Sequence, residues 1–502
     1  MNANLFSRFD AVFSDYADRV CLRLPDGTAW TYSDLHRTTG RVGAVLRQNG
    51  VRPGDRVVVQ VPKTPDAMAL YLATLQVGAV YVPLNADYTE SEVAYFLGDA
   101  EPSLYVTAKD SEIGLPTLTL DAYGEGSLKE QASSMKPDGH IVDRGRDDLA
   151  AILYTSGTTG RSKGAMLTHD NLTTNADTLI SYWGWRSDDV LLHALPIYHV
   201  HGLFVASHCV LLTGSSMIFL PRFDVEEVVH HLSSSTVFMG VPTFYTRLLQ
   251  SSRFNSDVAG GVRLFVSGSA PLTEQTFEAF EQRTGHRILE RYGMSETGMN
   301  TSNPLDGERV AGTVGFPLPG IDARVTNEEG ESLPAGEIGG IEVRGPNVFS
   351  GYWRMPEKTR DEFRDDGYFV TGDMGIVDDE GRYSIVGREK DLVISGGLNV
   401  YPKEIEILID TVPGVIESAV IGVPHPDFGE AVVAVVASEM DVKLEDVNDV
   451  LTGKLARFKQ PKRLLRLDEL PRNAMGKVQK NVLRELCADR FSWDEKDVKG
   501  PT

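Results

Sequence analysis

The segment Tyr154-Thr155-Ser156-Gly157-Thr158-Thr159-Gly160-Arg161-Ser162-Lys163-Gly164 gathers glycines, hydroxyls and two cations into one turn. Glycines let bare N–H groups come close to a ligand, and the hydroxyls and cations converge with them on anionic oxygens, so the composition suits phosphate. It is not a Walker A loop, which needs Gly-Lys-Ser/Thr in direct succession; here Arg161 and Ser162 stand between Gly160 and Lys163. Far downstream, Pro471-Arg472-Asn473-Ala474-Met475-Gly476-Lys477 brings two more cations, Arg472 and Lys477. The pair suggests ATP used to activate a carboxylate. A carboxylate is a poor electrophile, and its attack on the α-phosphorus of ATP, releasing pyrophosphate, gives it a good leaving group. That transition state crowds anionic oxygens, so catalysis is mainly positioning plus preorganised positive charge. Lys163, Arg161 and Lys477 are candidate sources of that charge.

The elements that must hold these residues read as βαβ units. The apolar run Val57-Val58-Val59-Gln60-Val61 precedes a helical pattern from Ala67 to Leu75, and Ala79-Val80-Tyr81-Val82-Pro83-Leu84 follows it. Thr89 with Glu92 makes a capping box for the next helix, and Tyr105-Val106-Thr107 reads as a further strand. Downstream, Thr236-Val237-Phe238-Met239-Gly240 runs into a helix start at Val241-Pro242-Thr243. Val262-Arg263-Leu264-Phe265-Val266 runs into the small-residue loop Ser267-Gly268-Ser269-Ala270-Pro271. Strand ends feeding such loops are where open α/β sheets bind ligands. After Gly312, short alternating runs such as Ile338-Gly339-Gly340-Ile341-Glu342-Val343-Arg344-Gly345 predict an antiparallel β portion. A domain boundary is expected at Gly387-Arg388-Glu389-Lys390-Asp391, giving a large domain over 1–388, a hinge at 389–391 and a small α/β domain over 392–502.

Bulk properties narrow the partners. The 502 residues have an ordinary globular composition, and 71 acidic against 49 basic residues leave a net charge of −22, which repels nucleic acid and anionic membranes. Anionic substrates must therefore be met by local positive charge. No apolar run is long enough to span a bilayer, and the start of the chain, with Asp10, Asp15 and Asp18, fits neither a secretory signal nor a transit peptide. Cys21, Cys209 and Cys487 lack ligand spacing and form no disulfide framework, so a reducing cytoplasm is expected.

Several further motifs fall in a familiar order: Ser267-Gly268-Ser269-Ala270-Pro271, Arg291-Tyr292-Gly293-Met294-Ser295-Glu296, Tyr368-Phe369-Val370-Thr371-Gly372-Asp373 and Gly387-Arg388-Glu389-Lys390-Asp391. With the two cationic segments they make the chain resemble, over nearly its whole length, the adenylate-forming superfamily of acyl-CoA synthetases, luciferase-like enzymes and adenylation domains. The resemblance implies an α/β fold with a large N-terminal domain of mixed sheets plus a β portion, and a small mobile C-terminal domain. It also implies ATP, magnesium and coenzyme A. Thr155, Ser156, Gly157, Thr158, Thr159, Gly160, Arg161, Ser162 and Lys163 would hold the triphosphate. Tyr292 would pack near adenine with the backbone at Ser269, Ala270 and Pro271, and Ser295 belongs to the same nucleotide set. Glu296 would ligate magnesium, Asp373 the ribose hydroxyls, and Arg388 would lie near ribose or phosphate. Lys477 would contact the carboxylate and α-phosphate during adenylation. The resemblance further implies rotation about Lys390, replacing Lys477 by a loop whose Gly396 and Gly397 let backbone approach pantetheine. It also suggests silencing of Lys477 by a protein acyltransferase. Lys454, Arg457, Lys459, Lys462 and Arg463 are either a coenzyme A phosphate patch or a solvated face.

The acyl pocket is expected near Leu195-Pro196-Ile197-Tyr198-His199-Val200-His201-Gly202, the helix carrying Arg247, and positions 269–299. A fatty acyl tunnel wants apolar side chains, whereas His199, His201, Arg247 and Arg291 offer charge and hydrogen bonds. A second substrate carboxylate would account for them, because a buried anion must be paired. In these residues the chain is similar to the malonyl-CoA synthetases. That match implies Arg247 gripping the distal carboxylate with His201 and Ser269, and Met299 shaping a small pocket, with malonate and methylmalonate undistinguished. Ligases for another short or aromatic acid remain an alternative. An amino-acid adenylation domain is disfavoured by the absence of an acid in residues 195–202 and of a following carrier domain. A nucleotide sensor is disfavoured because a mere binder needs neither Glu296 nor Lys477.

Overall fold

The computed structural model describes residues 2–109, 114–155, 162–395, 398–426, 428–473 and 477–490. The chain forms two compact units, residues 1–323 with 343–369 and residues 324–342 with 370–502. The division differs from a break after residue 388. The antiparallel hairpin of Phe369–Val377 and Tyr383–Arg388 clusters largely with the C-terminal residues, because ladder hydrogen bonds keep paired strands together whatever the sequence texture around them.

The first unit is α/β. One six-stranded sheet runs Thr117–Thr119, Leu104–Thr107, Arg56–Gln60, Val80–Pro83, Leu149–Thr155 and Lys163–Thr168, parallel except for its last pair. Val57, Val58 and Val59 are buried, as expected of a strand covered on both faces. The helix Pro65–Gln76 follows, with Thr64 as N-cap and proline in its first turn, where a missing N–H costs nothing. The Thr89–Glu92 capping box forms in both directions and opens the helix Glu90–Ala100.

A nine-stranded sheet runs Phe316–Pro317, Gly298–Ser302, Leu289–Met294, Leu264–Ser267, Val237–Gly240, Val190–His193, Ser216–Phe219, Val20–Arg23 and Ala29–Thr31. Its strands from Leu289–Met294 to Val20–Arg23 are parallel, and antiparallel strands finish both edges. Phe238, Phe265, Tyr245, Leu248 and Phe280 form the core beneath it, fixing the helix Pro242–Gln250 and the strand ends above that core.

The antiparallel portion expected after Gly312 is a four-stranded sheet of Asp322–Thr326, Gly339–Arg344, Phe369–Val377 and Tyr383–Arg388. In the second unit the long hairpin of Val415–His425 and Gly429–Ser438 is buried on both faces. Val432, Ala434 and Val436 enter one core; Val433, Val435 and Ala437 enter another, as the two-residue period of a strand requires. The helices Pro402–Ile409, Leu444–Leu451 and Lys480–Arg490 cover it. Buried Glu406 accepts from the Val420 N–H at 2.9 Å and from Lys480 Nζ at 2.7 Å, tying the last helix to the first. No helix among the described residues is long and apolar enough to cross a membrane.

Candidate active site

Thr155 and Lys163 face each other at the open end of the ladder between Leu149–Thr155 and Lys163–Thr168. The cradle expected at Ser156, Gly157, Thr158, Thr159, Gly160 and Arg161 lies outside the described residues. Ser162 is described, and its carbonyl accepts from the Tyr95 hydroxyl at 2.7 Å. Lys163 is buried, 6% exposed. Its Nζ donates to Glu362 Oε1 at 3.0 Å and sits 4.7 Å from the centre of the Tyr352 ring. Glu362 also pairs with Lys358 at 2.9 Å.

The Tyr352 hydroxyl donates to Glu362 Oε2 at 2.7 Å and lies 3.2 Å from Glu296 Oε1, which Thr155 Oγ1 also approaches to 3.2 Å. Burial would raise the Glu362 carboxyl, but hydrogen bonds from Lys358, Tyr352 and Lys163 outweigh it and hold the group below its ordinary value. Burial and then the neighbouring Glu296 push the Tyr352 phenol far upward, so it stays a donor. Tyr352 and Glu362 were not among the expected site residues. Tyr352 is brought in by a bridge to Ala165, and Glu362 follows the short helix Pro356–Asp361, whose first-turn proline was the available local sign.

Glu296 occupies the turn between the paired strands Leu289–Met294 and Gly298–Ser302, not a helix end, and is buried. Among the described residues no three His, Cys, Asp or Glu cluster as an all-protein metal site. Magnesium needs no such cage, because it is commonly held by one or two carboxylates, water and substrate phosphate. A single carboxylate beside the Thr155 hydroxyl, at the root of the phosphate loop, fits it.

The acyl end has a different character. Arg291, on the strand Leu289–Met294, is 2% exposed, and its Nε and Nη2 find no hydrogen-bond partner among the described residues. These two atoms form one edge of the guanidinium, the edge that grips a carboxylate in bidentate fashion. Burial pushes the group down to about 10, so it remains charged at neutral pH.

Gly268 makes the room: a Cβ there would sit 2.5 Å from Arg291 Cζ. The next residue, Ser269, holds φ at 72°, a left-handed conformation costly for serine, and its Oγ lies 3.3 Å from His201 Nδ1. His201 is 2% exposed, and its Nε2 likewise finds no partner among the described residues. Burial, then the charge of Arg291, keep this ring neutral. Its Nε2 is thus a second buried polar atom here with no hydrogen-bond partner among the described residues, and it is a donor in the tautomer in which Ser269 donates to Nδ1. His201 opens a π-helical turn, His201–Ala206, a distortion common at functional sites.

Other expected residues fall as follows. Met299 is fully buried and tied through its backbone to Asn175. Tyr292, Ser295, His199 and Ala270 are half-buried, and Pro271 is exposed. Arg247 stands in the last turn of Pro242–Gln250 with its side chain exposed, while Pro242, Tyr245 and Leu248 face the core. Of the two arginines, Arg291 is thus the buried one.

In the second unit Asp373 and Arg388 are cross-strand partners, with Arg388 Nε 2.7 Å from the buried Asp373 carboxylate. Asp373 is therefore a strand residue and not a turn former. Lys390 lies in the 3-10 turn Glu389–Asp391, whose Asp391 pairs with Arg484 at 2.8 Å. Gly396 and Gly397 lie outside the described residues. Lys477 closes a backbone exchange with Asn473, the Asn473 N–H donating to its carbonyl at 2.9 Å. Of the basic run, Lys459 is taken up by Glu404 at 2.8 Å. The three cysteines are buried and free.

Comparison with known proteins places the chain in a family. Residues 9–353 match the AMP-binding enzyme family, and residues 404–477 match the AMP-binding enzyme C-terminal domain. A malonate–CoA ligase of Arabidopsis thaliana is 35% identical, covering 96% of this chain and 89% of its own. A feruloyl-CoA synthase of an Amycolatopsis species is 37% identical, covering 91% and 94%. The crystal structure of ATP-bound MatB from Rhodopseudomonas palustris superimposes with a TM-score of 0.95 at 54% identity, covering 98% of this chain and all of that one. The chain belongs to the AMP-binding enzyme family.

Proposed function

We propose that the protein is a malonate–CoA ligase that forms malonyl-CoA, and also accepts methylmalonate, through an acyl-adenylate. The observation that carries the choice of acid is the buried edge of Arg291, without a hydrogen-bond partner among the described residues, beside the likewise unpartnered His201 Nε2. A buried charge without a partner costs several kcal/mol on the order of magnitude of ion desolvation, and a substrate carboxylate removes that cost on binding. An aromatic acid such as ferulate would leave it in place. The ATP-bound neighbour at 54% identity and the malonate–CoA ligase relative support the same reading.

In the first half-reaction a carboxylate oxygen of the acid attacks the α-phosphorus of ATP; the P–O bond to the β-phosphate breaks and pyrophosphate leaves. Lys163 and the loop 155–163 meet the phosphates, Tyr292 with the backbone at Ser269, Ala270 and Pro271 meets adenine, and Ser295 lies in the same turn as Glu296. Magnesium held by Glu296 would neutralise phosphate charge. Asp373 accepts from the ribose hydroxyls with Arg388 beside it, and Lys477 supplies the cation of adenylation. In the second half the thiol of coenzyme A attacks the acyl carbon, the bond to AMP breaks and the thiol proton is released. Lys390 is the hinge between the two states, and Gly396 and Gly397 admit pantetheine. Arg291, His201 and Ser269 hold the distal carboxylate, Met299 limits the pocket, and Arg247 and His199 contribute at its rim. The enzyme works in the cytoplasm, and acylation of Lys477 silences adenylation; mass spectrometry of protein from its native host reads that modification directly.

The test is AMP release from acetate, malonate, methylmalonate, succinate, benzoate and ferulate with ATP and coenzyme A. Malonate is expected to lead and acetate to trail by about 10⁴-fold, as for a site left with an unpaired polar group. Absence of AMP with every dicarboxylate, or preference for ferulate or benzoate, refutes the proposal.

A further inference from the structure

Lys63 lies just after the strand Arg56–Gln60, and His193 ends the strand Val190–His193 of the other sheet. Lys63 Nζ is 2.8 Å from His193 Nδ1 and donates to the His193 carbonyl at 2.8 Å; it also sits 4.3 Å from the centre of the Phe219 ring. No acidic side chain pairs with it among the described residues. The Gly202 carbonyl against the other ring nitrogen can only accept, so the neutral His193 ring carries its proton on Nε2 and its Nδ1 accepts from the Lys63 amino group.

That proton has the Gly202 carbonyl at 2.9 Å as its nearer partner, with Ser207 Oγ at 3.2 Å beside it. The same carbonyl accepts from Ser207 Oγ at 2.8 Å and from the Ser207 N–H, the five-residue step that makes 201–206 a π turn. The turn is packed without slack, since a Cβ on Gly202 would meet the Pro196 carbonyl at 2.0 Å. His201, the residue before Gly202, carries the buried Nε2 assigned above to the proposed acyl pocket.

We infer that Lys63 is a positioning residue for the acyl pocket, locking the His193 tautomer that anchors the Gly202 carbonyl and so the π turn carrying His201. Burial holds the Lys63 ammonium and the His193 ring well below their ordinary values, in keeping with a link sheltered from water. A half-buried lysine with no carboxylate partner among the described residues is a poor stabilising device and a good tautomer lock. The effect on acid choice rests on the malonate reading; the effect on the turn does not.

Two measurements test the inference separately. Hydrogen exchange of the 201–207 amides, read without substrate, is expected to speed up about tenfold at Ser207 in Lys63→Met while the helix Val225–Leu232 is unchanged. In turnover, Lys63→Met is expected to raise KM about tenfold for whichever acid the wild type uses, and KM for ATP less than twofold. His193→Gln presents a fixed amide N–H to Gly202, so it should keep slow exchange at Ser207 and make a further Lys63→Met change nearly silent. Unaltered Ser207 exchange in Lys63→Met, equal rises in both KM values, or a full extra loss in the double variant overturns the inference. Where Lys63→Met does not fold, fast Ser207 exchange in His193→Gln alone overturns it. Wild-type protein that activates ferulate and not malonate defeats the malonate proposal and leaves the exchange result standing.

Discussion

The phosphate end and the acyl end of the first unit both bury a cation, and they treat it in opposite ways. Lys163 is already paired with Glu362, which Tyr352 and Lys358 share, whereas Arg291 Nε and Nη2 and His201 Nε2 find no hydrogen-bond partner among the described residues. A paired cation stabilises the empty protein and must be won over by its ligand; an unpaired one burdens the empty protein and rewards the ligand that arrives. ATP, with several charges and its own metal, can compete for Lys163. A small acid with one spare carboxylate gains from a site that waits unpaired. The asymmetry suits a reaction in which the nucleotide is common to the whole family and the acid must be discriminated.

The largest expected effect follows at the waiting cation. Arg291→Met keeps an apolar stem and removes the fork, so kcat/KM for malonate should fall by about 10⁴, while acetate changes little. The same variant should raise folding stability by about 1–3 kcal/mol, because a buried charge whose fork has no hydrogen-bond partner among the described residues is gone, the attraction of neighbouring Glu290 offsetting part of the gain. Steady-state AMP release and thermal unfolding check the two arms. Equal losses on both acids, or a destabilised fold, would mean Arg291 is structural. Gly268→Ala probes the same end more gently. Its Cβ would stand 2.5 Å from Arg291 Cζ, so the guanidinium must shift, and malonate turnover should drop about 10–100-fold with ATP KM nearly constant.

At the paired end the signs reverse. Glu362→Gln leaves Lys163 buried with only neutral neighbours among its mapped contacts, and should cost about 1–3 kcal/mol of stability in the empty protein. ATP should recover part of that loss, so its thermal shift is expected to be larger in the variant than in the wild type. A smaller shift would show that Glu362 helps to place Lys163 for phosphate and does not merely hold it in reserve.

The two ends also differ in how much of them the sequence disclosed. Thr155, Lys163 and Glu296 belong to short motifs whose order along the chain carries the chemistry, and the Thr89–Glu92 capping box formed because its partners are three residues apart. Tyr352 and Glu362 stayed hidden, since their contact with Lys163 spans nearly two hundred residues and depends on how one sheet edge meets a distant loop. Between the two arginines, helix periodicity held a usable sign. Pro242, Tyr245 and Leu248 mark the buried face of their helix, and Arg247 falls off it. Nothing local in Arg291-Tyr292-Gly293 announces that Arg291 is enclosed; that follows from the absent side chain at Gly268 on the neighbouring strand's exit. The compact units, too, group most of the hairpin of residues 369–388 with the C-terminal residues, whereas the sequence pointed to a boundary at residues 387–391.

The smallest effect, and the sharpest separation of the two ends, is in pH. The Glu362 carboxyl is held below its ordinary value of 4.5 in the folded state, so the folded protein binds fewer protons there than the unfolded chain. Its contribution is complete above about pH 5 and is lost as pH falls through the lower folded value. The stability difference between wild type and Glu362→Gln should therefore be flat from pH 6 to 9 and shrink below about pH 4.5. Arg291 stays charged throughout that range, so the gain from Arg291→Met should show no such dependence. Urea unfolding of the wild type and both variants at a series of pH values reads the contrast. A Glu362→Gln penalty that persists unchanged into acid would mean that packing, and not the ion pair, holds Lys163 in place.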